Sequence, residues 1–322
     1  MIRRIKSTEK MCRNNKKFNN LVEVMMHFSD NDVCKEYLAQ LRWKDGIVCP
    51  HCGNGDKIYT MKKNYKCAKC RKPFSVTKGT IFENSPIPLQ KWFAAIWLIT
   101  SHKKGISSLQ LHRDLGITQK SAWFLLQRIR YAVRTRSFNA PLTNTVEIDE
   151  TYIGGKNKNR HADKKVDGSQ GRSANDKTPV FGLVERNGRI VAMRVRDTKR
   201  ATLMPIIHKS VTKDVKLMTD EHTSYKVLSS LYDHEMVNHS LGEYVIGECH
   251  TNTIEGFWSL LKRGIIGIYH NVSEKHLDAY VDEFEYRYNT KDITDVERFE
   301  NMLYLGNSPR ITYNQLTNGH QG

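Results

Sequence analysis

The sequence predicts a multidomain α+β chain, and three observations lead there: two closely spaced cysteine pairs near the N-terminus, helical periodicity up to about residue 138, and alternating β-rich and helical runs from about residue 144 onward. The 322 residues suffice for two or three units of ordinary size, and a hydrophobic content of 39% can support a core. No apolar run reaches the roughly 18 residues of a membrane span. The basic opening MIRRIKSTEK lacks the apolar stretch of a secretory signal. A cytoplasmic protein with no membrane partner is therefore expected. The net charge of +17 favours a polyanionic partner, whose counterions are released on binding. The basic residues are spread over the chain and form no amphipathic anchor helix, so nucleic acid is expected rather than a membrane surface.

Residues 1–43 read as an N-terminal helical segment. The first twenty are polar and basic, then LVEVMMHF and VCKEYLAQLRW follow as helical runs around a polar SDND break. Residues 44–85 carry the cysteine pairs Cys49-Pro-His-Cys52 and Cys67-Ala-Lys-Cys70. Each pair can form a tight knuckle presenting two thiolates, and two knuckles complete a tetrahedral site for one structural Zn2+. The fourteen intervening residues suit a β-hairpin. A closed four-thiolate site leaves no open position for catalysis, and His51 is expected to be exposed rather than a fifth ligand. Seven cysteines in all, with Cys12, Cys34 and Cys249 standing alone, do not make a disulfide framework.

Residues 86–138 read as a helical region that opens at PIPLQKWFAAIWLITS and continues through SSLQLHRDLGITQKSAWFLLQRIR. In the latter, a first helix ends at Leu115-Gly116 and a short turn leads to a second. Leu109, Leu115, Ile117 and Ala122 are expected to fill the angle between them. Thr118, Gln119, Lys120 and Ser121 then stand at the N-terminal end of the second helix, where a helix-turn-helix offers its reading side chains to the major groove. Gln can read adenine, and Lys can reach guanine or phosphate.

Residues 139–310 read as an α/β domain, with 311–322 as a tail. NTVEIDETYIGG is a strand on which Val146 and Ile148 face one way and Glu147 and Asp149 the other. TPVFGLVE and RIVAMRVRD form a hairpin around Arg186-Asn187-Gly188. TKRATLMPIIHKSV is helical, DVKLMTD a strand, SYKVLSSLY helical, and EMVNHS the last strand. TNTIEGFWSLLKRGIIGIYH and EKHLDAYVDEFEYRYN close the chain as helices. The polar stretch 154–178, with seven Lys/Arg against three Asp, reads either as a phosphate clamp or as a solvated loop.

Three acids stand out by position. Asp149 lies on the first strand and Asp220 at the end of DVKLMTD, where an α/β strand delivers a side chain to a site. Glu255 lies near the start of a long helix. Three converging carboxylates repel one another unless they hold cations, and two Mg2+ or Mn2+ ions in such a set suit phosphoryl transfer. The order of strands and helices carrying these acids is that of an RNase H-like domain. Here the chain resembles a DDE transposase of bacterial insertion sequences, in the zinc-ribbon group numbered fifteen-ninety-five. The residues carrying the resemblance are VEIDETYIGGK (146–156), LMTDEHTSY (217–225), HTNTIEGFWSLLKRGIIGIYH (250–270) and DEFEYRYN (282–289), with the knuckles and helices that precede them.

The resemblance implies a zinc ribbon and a helix-turn-helix-like region that recognise terminal inverted repeats, followed by an RNase H-like α/β catalytic domain. It implies Asp149 and Asp220 as the first two metal ligands. The third is Glu255 or Asn252. Glu255 is favoured because a carboxylate is the better ligand for a hard cation and because Lys262 follows seven residues on, matching the family's Glu-x₆-Lys spacing, whose Lys contacts DNA. Glu150 is expected on the opposite face of the strand from Asp149. Trp258 is expected in the core, and Arg287 and Tyr288 in a helix packed beside the catalytic one. The implied activity is two-metal cleavage of double-stranded DNA at the transposon end and transfer of the freed 3′-OH to target DNA, by a homo-oligomer that pairs two ends. A catalytically dead regulator is the alternative, and a stand-alone nuclease is a third reading.

Overall fold

A computed structural model describes residues 18–62, 64–134, 140–155, 161–168, 176–237 and 249–318. The basic N-terminal stretch and much of the 154–178 segment lie outside these residues. No described helix is long and apolar enough to cross a membrane. The chain divides into two compact units, Met1–Ala132 with Ile293–Gly322, and Val133–Asp292.

The first unit opens with α1 (Leu21–His27) and α2 (Asn31–Arg42), capped by the Asn20 and Asp30 side chains. A three-stranded antiparallel sheet follows, β1 (Ile58–Thr60), β2 (Tyr65–Cys67) and β3 (Pro73–Phe74), with Ile58 opposite Cys67 and Tyr65 opposite Phe74. Helix α3 (Leu89–Ser101) starts just after Pro88, which cannot donate a helical hydrogen bond. It is apolar around most of its circumference and buried accordingly. Helices α4 (Ser108–Leu115) and α5 (Gln119–Arg134) complete the N-terminal run.

Two further helices, α9 (Asp295–Leu305) and α10 (Tyr313–Asn318), return to this unit from the end of the chain. Sequence reading ended the helices at residue 289 and extended the catalytic domain to residue 310. The reason for the difference is aromatic. Phe299 of α9 lies 5.8 Å from the rings of both Phe93 and Trp97 and 6.0 Å from Phe28, completing a buried cluster that none of those residues fills alone. Arg298 donates to the Thr100 carbonyl at the end of α3, at 3.2 Å. Arg128 of α5 donates to three carbonyls, those of Ile81, Glu83 and Ile311, and so ties the segment that follows the β1–β3 sheet to the C-terminal segment within this unit.

The second unit is a five-stranded mixed sheet, β4 (Thr145–Ile153), β5 (Thr178–Glu185), β6 (Ile190–Arg194), β7 (Lys216–Thr219) and β8 (Asp233–Met236), in the spatial order β6-β5-β4-β7-β8. The first three strands are antiparallel, and β7 and β8 run parallel to β4. That order and these directions are the RNase H-like topology. On one face Val146, Ile148 and Leu183 pack with α6 (Arg200–Ser210) and the short 3₁₀ run Thr223–Ser230. On the other, Val180, Val184 and Ala192 pack with α7 (Asn252–Gly264) and α8 (Glu274–Asn289).

Strand β6 is a sheet edge, and α8 covers it. Asn289 accepts the Ile190 N–H at 2.8 Å, Glu285 accepts that of Ala192 at 3.1 Å, and Asp278 accepts that of Arg194 at 3.2 Å. Every second residue of the strand is thus paired by a side chain, which blocks pairing with another chain. Burial, reinforced by Asp282, pushes Glu285 up to about 8. Its folded value lies above the roughly 4.3 of an unfolded carboxyl, so this group's contribution to stability is full in acid and is lost between about pH 4 and 8. Glu285→Gln keeps an acceptor without the charge. Urea melts are expected to find it within error of the parent at pH 4 and more stable by about 1 kcal/mol or more at pH 9. Identical curves at both pH values would refute this.

Candidate active site and zinc ribbon

In the first unit the four cysteine sulfurs all lie within 4.8 Å of one another, the one such group of potential metal ligands among the described residues. Cys49 and Cys70 are 3.7 Å apart, as are Cys52 and Cys67. Each knuckle closes in the same way: Gly53 donates to the Cys49 carbonyl at 2.9 Å, and Arg71 to that of Cys67 at 3.0 Å. Both closing residues are left-handed, at φ 72° and 61°. Glycine takes that conformation freely, whereas Arg71 does so at some cost. Backbone N–H groups of Cys70 and Lys69, with the neighbouring thiols, pull Cys67 down to about 7, whereas, against the pull of the Asn54 N–H, burial and the neighbouring thiols push Cys52 up to about 11, so Cys67 is the thiol that ionises before Cys52. Trp43, Tyr65 and Phe74 pack beneath it. His51 is exposed, as expected.

The helical pair follows the expected spacing. Gly116 ends α4 in the left-handed conformation at φ 57°, and the Thr118 hydroxyl caps α5 by accepting the Ser121 N–H at 3.2 Å. Leu109 is exposed, contrary to expectation, and Leu111 takes the buried place. Leu111 and Leu115 share a helix face at i, i+4, and Leu109 lies off it. Of the proposed readers, Thr118 and Ser121 are engaged in the cap. Gln119 donates to the Ser108 hydroxyl at 2.9 Å, and the Lys120 ammonium lies 4.7 Å from the centre of the Tyr313 ring.

In the second unit, β4 places Asp149 on the α7 face, opposite Gly182 of β5. The Trp258 indole N–H donates to Asp149 Oδ2 at 3.0 Å. Trp258 is in the core as expected, but the indole contact gives it a polar task that sequence reading missed. Burial, and the nearby charges of Glu150 and Asp220, push Asp149 up to about 8. Asp220 follows β7 and is buried, with Oδ1 accepting the His222 N–H at 3.0 Å. Glu150 faces the other side of the sheet, where it accepts the buried Tyr225 hydroxyl at 2.5 Å. Its charge nevertheless reaches Asp149.

Asn252, Glu255 and Lys262 all lie on exposed positions of α7. Glu255 accepts the Thr251 hydroxyl at 3.1 Å. The charge of Asp220 thus reaches Asp149, and among the described residues the three acids do not form a ligand cluster like that of the cysteines. Arg287 and Tyr288 lie on α8, Arg287 paired with Glu283 and the Tyr288 ring 5.7 Å from Phe257 of α7.

Residues 141–289 match the ISXO2-like transposase domain, and residues 29–73 match a transposase zinc-ribbon domain. A protein in the transposable element ISH50 of Halobacterium salinarum is 30% identical over 266 residues, covering 78% of this chain and 88% of that protein. A transposase-like protein of Haemophilus influenzae is 31% identical over 106 residues, 33% of this chain and 85% of that one. Among solved structures, the Mos1 strand transfer complex overlaps 67% of this chain and 74% of its own, at 13% identity and a TM-score of 0.28. A pre-cleavage Mos1 transpososome overlaps 66% and 78%, at 14% identity and a TM-score of 0.24. These overlaps are loose, and the fold assignment rests on strand order and direction.

Two outcomes test this geometry. A Cβ on Gly182 would fall 2.7 Å from the Trp258 ring. Gly182→Ala is therefore expected to cost about 1–3 kcal/mol in urea unfolding. Gly256→Ala, which meets nothing within 4 Å, should gain up to about 1 kcal/mol. Equal stabilities for the two would contradict the packing. Cys67→Ser is expected to lose the single zinc from the chain and the folded ribbon with it, because a structural site contributes folding energy directly. Metal analysis after gel filtration reads the outcome, and zinc retained at one per chain would refute it.

Proposed function

The chain belongs to the ISXO2-like transposases of the zinc-ribbon group numbered fifteen-ninety-five, and we propose that it binds the terminal inverted repeats of its element, cleaves the DNA there and transfers the freed 3′-OH to target DNA. One observation carries the catalytic part. Asp149 and Asp220 come from adjacent parallel strands at the centre of an RNase H-like sheet, close enough that the charge of Asp220 raises Asp149. Like charges this close, one buried and one half-buried, are relieved by a divalent cation, and an all-oxygen donor set suits Mg2+ or Mn2+.

Asp149, Asp220 and Glu255 would hold two such ions, with Asn252 the other candidate for the third position. The ions supply activation of the attacking oxygen and stabilisation of the leaving one. Cleavage adds water across the phosphodiester and leaves a 3′-OH. In transfer, that hydroxyl forms a bond to a target phosphorus while the target's own 3′-oxygen departs, so no covalent enzyme intermediate is required. Lys262, on the same exposed side of α7 as Glu255, would contact DNA beside the site.

The zinc ribbon and the α4–α5 pair would read the DNA end. Gln119 and Lys120 would make the base or phosphate contacts in exchange for their contacts with Ser108 and Tyr313, while Thr118 and Ser121 serve the cap. The net charge of +17 supports the same partner. Pairing two ends calls for a homo-oligomer in the DNA complex.

The test uses purified protein, Mg2+ and double-stranded DNA bearing the element's end. Wild type is expected to cut and join. Asp220→Asn is expected to bind that DNA equally well and to lose at least about a hundredfold in cleavage, more than the loss typical of residues that only support a ligand. If the two cut alike, the catalytic assignment fails. Cutting without joined product makes the protein a nuclease, and binding without cutting makes it a regulator.

A further inference from the structure

Glu147 is the most completely engaged acid near the site, and its role is not that of a ligand. Its side chain is fully buried on β4, two residues before Asp149 and on the same face of the sheet. Oε2 accepts the backbone N–H of Thr253 at 2.8 Å and of Ile254 at 3.1 Å. Oε1 accepts the Thr253 hydroxyl at 2.8 Å and the Arg186 Nε–H at 2.8 Å. His250 Nδ1 lies 3.2 Å from the same oxygen. Arg186 also donates to the His250 carbonyl at 3.0 Å, which fastens the segment leading into α7.

These contacts make Glu147 the N-terminal cap of α7 from a distant strand. The residue at the cap position, Thr251, makes no side-chain capping bond, and its hydroxyl is turned toward Glu255 instead. The first N–H groups of a helix have no partner within it, and a carboxylate there also meets the positive end of the helix dipole. Glu147 supplies both. Its backbone is itself held on two sides, opposite Val184 of β5 and Met218 of β7.

We propose that Glu147 is the positioning residue that sets α7, and with it Glu255 and Asn252, against Asp149. Asp149 stands two residues along the same strand from Glu147, about 7 Å on. Glu255 stands within the first turn of the helix that Glu147 caps. The span between the two acids is therefore fixed by one strand step and one helical turn, joined through a single carboxylate. This inference rests on the reading that Asp149 and Glu255 work together, and it adds the group that fixes their spacing.

The experiment compares full-length wild type with Glu147→Gln and with the milder Thr253→Val, which removes one of the four hydrogen bonds and leaves the charge. Amide hydrogen exchange over residues 250–258 is the readout that does not depend on activity. Losing a buried capping bond should speed exchange in the first turn of α7 about tenfold in Glu147→Gln, with a smaller change in the same direction in Thr253→Val. The apparent Mn2+ dissociation constant, from calorimetry, should rise about tenfold. In end cleavage kcat should fall by a similar factor, with the KM for DNA unchanged. Exchange and Mn2+ affinity equal to wild type would overturn the proposal. So would faster exchange spread evenly over the whole second unit, which is the mark of general destabilisation. If Glu147→Gln does not fold, the Thr253→Val exchange decides. Should wild type cleave nothing, the transposase chemistry falls, and the exchange result still decides the role of Glu147.

Discussion

Burying a carboxylate without compensation costs several kcal/mol, and strand β4 carries three acids into the middle of an α/β/α sandwich. Each meets that cost differently. Glu147 is surrounded by donors from the hairpin turn and from the start of α7. Glu150 receives the buried hydroxyl of Tyr225 on the opposite face. Asp149 receives an indole N–H and is pushed up to about 8 by burial and its acidic neighbours. Two of the acids are thus satisfied by the fold, while Asp149 remains electrostatically strained. That difference separates a structural acid from a candidate ligand, although all three are carboxylates on one strand.

The same constraint organises what lies around β4. Gly182 leaves room for the Trp258 ring, whose indole N–H reaches Asp149. Arg186 sits in the β5–β6 turn, where it meets Glu147 and the segment before α7 together. Helix α8 covers the open edge of β6 with Asp278, Glu285 and Asn289. Close approach matters at the far end of α7 too, where a Cβ on Gly264 would run into the Phe284 ring of α8. Beyond Gly264 the helix continues as a π-helical turn, Ile265–Tyr269.

The first unit solves a different problem. Around residues 43–74 only a small apolar cluster of Trp43, Ile47, Ile58, Tyr65 and Phe74 lies against the cysteines, and a zinc ion held by the four thiolates would supplement it. The helices that follow are held by an aromatic cluster centred on Phe28, Phe93 and Phe299. Arg128, buried among three carbonyls and lowered by that burial to about 10, fastens the C-terminal segment to this unit.

The sequence by itself determined whatever depends on short-range pattern. Cysteine spacing determined the knuckles, period-two alternation determined that Glu147 and Asp149 share a face opposite Glu150, and the glycine and cap residues at 116–118 determined the helical turn. The order of strands and helices determined the RNase H-like topology, because few topologies accommodate that order. Tertiary structure alone decided the rest. Phe299 joins Phe28 across more than two hundred residues, Trp258 hydrogen-bonds Asp149, and Glu147 caps a helix that begins more than a hundred residues later. The physical reason is common to all three. A buried donor, acceptor or ring must be satisfied by whatever the fold brings within a few ångströms, and no local periodicity encodes which distant residue that will be.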